Sequence, residues 1–311
     1  MKYNINIYFP ACGGLYHYWF GVAQAMQNML SYEDIHKLKF HSISGSGFPV
    51  STLLMGYNVK SVYQLWGNRF EKVVYSGGWF HFYDLLELHC YSIIPSCEDG
   101  NDDFNNIFSN HSIYCVKFPS FKLIKIQIKN KDNYIKSLIS SALIPFLTPK
   151  LFCIMDGKIL IDGGIRTFIG LSSEFKRVRS IIKKEATDES TPTIYHLEKI
   201  LNYKSVRFPL FWRAFGLFCG KREDLFSAGY TDMINALPEI LPESKFHGNG
   251  PRRILTNDMT KDINLTNKYL LFGSLILSSF LIHKIICYNK IDIKIMKRSF
   301  NNAFICSRIS I

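Results

Sequence analysis

The sequence has few acids for its bases: 37 Lys and Arg stand against 25 Asp and Glu, leaving a formal net charge of +12 and a pI near 9.2. It lacks an apolar run of the roughly 20 residues that a membrane-crossing helix needs. It has neither G-x-G-x-x-G nor a P-loop lysine, so a dinucleotide or nucleotide-phosphate cradle is disfavoured. No basic block alternates with aromatics in a nucleic-acid pattern. The positive charge is therefore read as suiting an anionic lipid surface, with no nucleic-acid partner expected. The eight cysteines (12, 90, 97, 115, 153, 219, 287 and 306) form no C-x-x-C pair. Free thiols in a reducing compartment are expected, with no zinc site. From Lys2 onward polar and apolar residues alternate, so no signal peptide is expected. His81, His89 and Cys90 lie close together but lack a further ligand at suitable spacing. They read as satisfied polar groups on a mostly buried helix, not as a metal site.

With 47% hydrophobic residues in 311, the chain is globular and large enough for a sizeable core. Tyr3–Phe9 alternates Asn with apolar residues and reads as a strand. It runs into Pro10-Ala11-Cys12-Gly13-Gly14-Leu15 and then a helix from about His17 to Leu30. A strand, glycine loop and helix present backbone N–H groups to an anion. One reading of the loop is a phosphate cradle; the other is an oxyanion hole formed by the amides of Cys12, Gly13 and Gly14. A second short strand, His41–Ile43, enters Ser44-Gly45-Ser46-Gly47-Phe48-Pro49. A serine between two glycines at a strand-to-helix turn is where a nucleophile elbow lifts a hydroxyl clear of the backbone. On this reading Ser46 is the nucleophile, and Ser44, Gly45 and Gly47 form the elbow around it.

Further helices are expected over Ser51–Gly56, Val59–Val74, Phe80–Tyr91 and Lys131–Ser141, and strands over Ser112–Val116 and Phe121–Ile128. Glu98–Asn110 reads as a surface loop. Leu151–Met155 and Ile159–Ile161 flank an Asp156-Gly157 turn as a hairpin, which delivers Asp162-Gly163-Gly164. Phe175–Glu185 carries five basic residues and reads as a surface strand or helix. Asp224–Leu237 suits a packed helix, after which Pro238, Pro242, Gly248, Gly250 and Pro251 mark a linker. Tyr269–Ile282 is an uncharged run of 14 residues, extended by Ile285–Tyr288. It leaves three readings: a single span, an interfacial or re-entrant helix, or a buried core helix. The basic tail that follows is expected on the cytosolic side. The expected domains are thus 1–240 as the main domain, 241–268 as linker, 269–288 as an apolar membrane-associating segment and 289–311 as a basic tail.

Taken together, Phe9–Leu15 with Gly21-Val22-Ala23, Ser44–Gly47, Ser141–Pro145, Asp162-Gly163-Gly164-Ile165 and Gly229–Asp232 resemble the motifs of the patatin-like phospholipase family. The resemblance covers about Tyr3–Leu237 and is greatest to the animal group that includes adipose triglyceride lipase. It implies a three-layer α/β fold with a central, mostly parallel sheet, to which the C-terminal apolar helix is added. It also implies a carboxylic ester hydrolase with a Ser–Asp dyad: Ser46 attacks an ester carbonyl of a triacylglycerol or phospholipid, and Asp162 takes its proton. No histidine and no cofactor or metal is implied. The implied setting is cytoplasmic, at a membrane or lipid-droplet surface; whether a protein co-activator takes part stays open. Ser44 and Phe48 depart from the glycines of G-x-S-x-G, and Arg166-Thr167-Phe168 stands where the family often has Asn and Pro. The alternative is therefore a catalytically impaired patatin-like protein that binds lipid or a lipase partner.

Overall fold

The structure is a computed structural model that describes residues 5–75, 82–94, 107, 109–144, 150, 152–168, 173–186, 192–201, 222–242, 248, 250–251 and 253. The chain divides into two compact units, Met1–Leu265 and Thr266–Ile311. The expected apolar segment 269–288 and basic tail 289–311 lie outside the described residues. Among the described residues, no helix is long and apolar enough to cross a membrane.

The first unit is an α/β structure around a mixed, mostly parallel sheet. Its strands are β1 (Ile5–Phe9), β2 (Lys39–Ile43), β3 (His111–Phe118), β4 (Lys122–Lys125), β5 (Cys153–Met155), β6 (Lys158–Ile161) and β7 (Thr193–His196). Its helices are α1 (Tyr16–Met29), α2 (Tyr32–Ile35), α3 (Gly47–Leu54), α4 (Val59–Tyr75), α5 (Phe82–Ile93), α6 (Lys131–Ser141), α7 (Ile165–Phe168), α8 (Glu174–Glu185), α9 (Leu197–Leu201) and α10 (Arg222–Ile240). The strand order is β5-β6-β3-β2-β1-β7, with β4 on β3. β7, β1, β2 and β3 are mutually parallel, whereas β4, β5 and β6 run antiparallel to their neighbours.

Alternation along the strands sorts the core into two layers, as the period-2 geometry of a strand requires. Ile7, Phe9, Phe40 and Ile113 face the large layer built from α1, α3, α4, α5, α6, α9 and α10. Tyr8, Ile43, Tyr114, Val116 and Ile161 face the other side, where α8 lays down Val178 and Ile182. The basic stretch 175–185 is therefore a helix: residues spaced by four put one apolar stripe on the sheet and leave the cations outside.

Two features fix the frame of the site. α1 and α10 pack at glycines: a Cβ on Gly21 would fall 1.9 Å from the Phe226 carbonyl oxygen, and one on Gly229 would fall 2.0 Å from that of Tyr18. The Tyr18 hydroxyl donates to Asp232 Oδ2 at 2.7 Å across this contact. The second feature is register. β2 and β4 both pair with Tyr114, so they take opposite edges of β3. β4 and β6 both pair with Val116 and Lys117, so β6 shares the edge of β2. β2 climbs to Ile43 opposite Tyr114, and antiparallel β6 descends to Ile161 opposite Val116. The next residues of the two strands, Ser44 and Asp162, are aimed at each other.

Three details differ from the sequence-based reading. β7 and α9 arise in 193–201, within a stretch whose mixed charge carries no clear period. α10 continues through Pro238 to Ile240. The expected linker does not leave the domain at once, since Arg253 N–H donates to the Gly56 carbonyl at 2.9 Å and Arg253 pairs with Tyr57 as an isolated bridge.

Candidate functional site

Ser44 is the first residue past β2 and stands at φ 62°. A β-strand cannot continue through that conformation, and a non-glycine residue holds it only where its surroundings over-determine it. Here the Ser44 N–H donates to Ser141 Oγ at 2.8 Å, and Ser141 Oγ in turn donates to the Tyr114 carbonyl at 2.7 Å. The Ser44 hydroxyl then donates to Asp162 Oδ2 at 2.6 Å. The helix N-terminus of α3 follows directly through the 3-10 turn Ser44–Ser46.

Asp162 is held as firmly. Its N–H donates to the Leu143 carbonyl at 2.9 Å, and the Gly163 N–H donates to that of Ser141 at 3.0 Å. Its second carboxylate oxygen, Oδ1, accepts the Gly164 N–H at 2.7 Å. Glycine is required beside it: a Cβ on Gly163 would meet the Tyr114 carbonyl oxygen at 2.6 Å and Ile43 Cγ2 at 2.7 Å. Burial pushes the Asp162 carboxyl up to about 7, against the lowering effect of the Ser44 hydroxyl and the Gly164 N–H; the negative charge of Glu174 adds to the rise. A carboxylate that takes up its proton near neutrality is matched to general-base work at pH 7.

The glycine loop closes the third side. Cys12 caps the 3-10 turn Gly13–Leu15, and Gly13 stands at φ 47°. A Cβ on Gly45 would lie 3.0 Å from Cys12 Sγ, and one on Gly164 would lie 2.5 Å from the Ala11 methyl. The loop of residues 11–14, the turn at Ser44-Gly45 and the loop Asp162-Gly163-Gly164 therefore converge. Cys12 is buried, and burial followed by the Asp162 charge pushes its thiol well above the usual range, so it stands there as a neutral thiol.

Ser46, taken from the sequence as the nucleophile, is not the serine on Asp162. It is fully buried, and its hydroxyl lies 2.8 Å from the Ile43 carbonyl and 3.2 Å from the Phe9 carbonyl. It also accepts the Ile43 N–H at 3.3 Å. Ser46 thus ties the ends of β1 and β2 together under the turn. The physical reason is where β2 stops: the residue that must turn with positive φ is the one after Ile43. Centred on Ser44, the outer positions of the elbow are Ser42 and Ser46, both small; centred on Ser46, they include Phe48. That ring belongs to the packing of α3, stacked 6.0 Å from Trp66.

Among the described residues no histidine hydrogen-bonds Ser44 or Asp162. His41 lies between the Tyr114 hydroxyl at 3.0 Å and Asn6 Oδ1 at 2.9 Å, and His111 between Ser42 Oγ at 2.7 Å and the Tyr134 hydroxyl at 2.6 Å. His89 is fully buried, and neither ring nitrogen has a hydrogen-bond partner among the described residues. Its ring packs edge-on to Trp66 and Phe48. Among the described residues no three His, Cys, Asp or Glu side chains are grouped as metal ligands would be. No family model matches the chain, and the search of curated proteins finds no match either.

Proposed function

We propose that the chain is a lipid acyl hydrolase in which Ser44 is the nucleophile and Asp162 the general base. The observation that carries this is the 2.6 Å hydrogen bond from a serine at φ 62° to a carboxyl whose proton comes off near pH 7. In the proposed reaction Ser44 Oγ attacks the ester carbonyl carbon while Asp162 takes the hydroxyl proton. The tetrahedral oxyanion is met by the Gly45 amide and by amides of the turn Cys12-Gly13-Gly14, donors worth about 3 kcal/mol each. Collapse releases the alcohol, which leaves with the proton from Asp162, and an acyl-Ser44 remains. Water, deprotonated by Asp162, then releases the carboxylic acid and restores Ser44. The resemblance to patatin-like phospholipases supports an acyl-lipid substrate, triacylglycerol or phospholipid. The net charge of +12 supports work at an anionic lipid surface.

The test is covalent labelling of the full chain by a fluorophosphonate probe. Wild type and Ser46→Ala should label, whereas Ser44→Ala and Asp162→Asn should not. Labelling that survives in Ser44→Ala and disappears in Ser46→Ala would overturn the assignment. A second reading, a catalytically impaired lipid-binding relative, is favoured by one observation: Ser44 and Asp162 are only 4% and 3% exposed. An ester reaches Ser44 only after neighbouring atoms move. Absence of labelling in folded wild type, with lipid binding retained, would select this second reading.

A further inference from the structure

A groove of about 360 Å³ runs between α8 and the strand β7 with its following helix α9. It shares no residue with the Ser44–Asp162 site. Its floor is aromatic: Phe175 and His196 stack in near-parallel planes, 9° apart with centroids at 4.1 Å. Tyr8 of β1 backs both rings, at 5.2 Å from Phe175 and 5.1 Å from His196.

Its walls are cationic. Arg179 and Lys183 follow Phe175 at intervals of four, so the three form one stripe of α8 along the groove. Lys199 of α9 completes the set, with Nζ 6.0 Å above the Phe175 ring. Among the described residues no acidic residue lines the groove, and no ion pair claims Arg179, Lys183 or Lys199. Of the neighbouring carboxylates, Glu185 is engaged by Lys125 at 2.6 Å, whereas Glu198 stands at the groove's edge, 3.7 Å from His196 Nε2. The other ring nitrogen of His196, Nδ1, is buried without a hydrogen-bond partner among the described residues. All five cations of α8 are exposed, as is Lys199, but Lys176, Arg177 and Lys184 do not line the groove. Solvation of a charged face accounts for exposed cations, but it would not set a stacked aromatic pair and an unpartnered imidazole nitrogen beside three of them.

We propose that this groove binds an organic phosphate, its phosphate on Arg179 and Lys183 and its apolar portion on the Phe175–His196 stack. Guanidinium and ammonium groups on one side are the donors that phosphate oxygens require. The volume lies at the small end of ligand sites, which suits a ligand of headgroup size. The phosphate ester belongs either to a lipid headgroup or to a soluble metabolite, and the probes separate the two.

The experiment measures binding by the full chain of sn-glycerol 3-phosphate, by calorimetry, and of phosphatidylcholine vesicles with and without phosphatidic acid, by sedimentation. The double variant Arg179→Gln/Lys183→Gln should weaken binding of the ligand by about tenfold or more. The matched control Lys176→Gln/Lys184→Gln, which removes the same charge from the outer face, should change it less than about twofold. Fluorophosphonate labelling at Ser44 should be the same in both variants and wild type, which separates the groove from the hydrolase. Binding of the soluble ester identifies a soluble ligand; binding confined to phosphatidic acid vesicles identifies a headgroup. Equal losses in the two double variants, or no binding of either probe to folded wild type, would overturn the proposal.

Discussion

Asp162 carries two consequences at the scale of one residue, and both follow from its carboxyl being pushed up to about 7 by burial. The first concerns rate. Below that value the carboxyl is protonated and cannot accept the Ser44 proton, so fluorophosphonate labelling should rise with pH through about 7 and level off above it. A flat profile between about pH 5 and 9 would remove Asp162 from the role of base. The second concerns stability. In the unfolded chain an aspartate titrates near 3.9, so between that value and about 7 the folded state holds a proton that the unfolded state has lost. A raised folded pKa contributes stability that is complete below the unfolded value and is lost as pH rises through the folded one. Three units correspond to about 4 kcal/mol, an upper bound for so buried a group. Asn keeps one oxygen for the Gly164 N–H and turns its NH₂ towards Ser44 Oγ. Asp162→Asn should therefore raise the urea midpoint at pH 8 and leave it little changed near pH 4, while abolishing labelling.

At the scale of elements, Ser44 and Asp162 meet because β2 and β6 run end to end on one edge of β3, and α1 packs against α10. The helix contact is set by Gly21 and Gly229, where a Cβ would enter the opposing backbone at 1.9–2.0 Å. Backbone cannot yield as a side-chain tip can, so Gly229→Ala should force the helices apart. A loss of about 3 kcal/mol in urea denaturation is expected, with weaker labelling because α1 carries the turn Gly13–Leu15. Unchanged stability would show that the helices slide without cost. Much of this frame was legible in the sequence. Asn–apolar alternation marks β1, the Asp156-Gly157 turn marks the β5–β6 hairpin, and Asp162-Gly163-Gly164 stands where that hairpin delivers it. The sequence reading places Ser46, and the structure places Ser44, against Asp162; the two serines flank the same glycine. What separates them is the end of β2, and strand ends are set by tertiary pairing, here with Tyr114. One local sign did exist, since Phe48 is too large for the outer position of an elbow whereas Ser42 and Ser46 are not. β7 was not legible because an edge strand half-covered on both faces has no strict alternation.

For the whole molecule, the buried histidines and Asp162 pull stability in opposite directions as pH changes, and magnitudes decide the sign. Burial holds His17, His41, His89 and His111 down to about 3; cations add to it at His17 (Arg222), His41 (Lys125) and His89 (Arg69), and burial acts alone at His111. In the unfolded chain each titrates near 6.5. A depressed folded pKa contributes stability that is present above the unfolded value and lost as pH falls towards the folded one. At about pH 5 each histidine has cost about 2 kcal/mol, or about 8 together, while protonation of Asp162 has returned about 3. The net loss of about 5 kcal/mol matches the whole stability of a modest domain. The protein should thus unfold cooperatively between about pH 5 and 4, seen together in circular dichroism and tryptophan fluorescence. His89 offers the cleanest check, because neither of its ring nitrogens has a partner to lose among the described residues. His89→Leu keeps an apolar side chain against Trp66 and Phe48, removes one of the four titrating groups, and should move the acid midpoint lower while raising stability at pH 7. A wild-type fold that persists at pH 3, or a His89→Leu midpoint unchanged from wild type, would show that the histidines do not govern the acid limit.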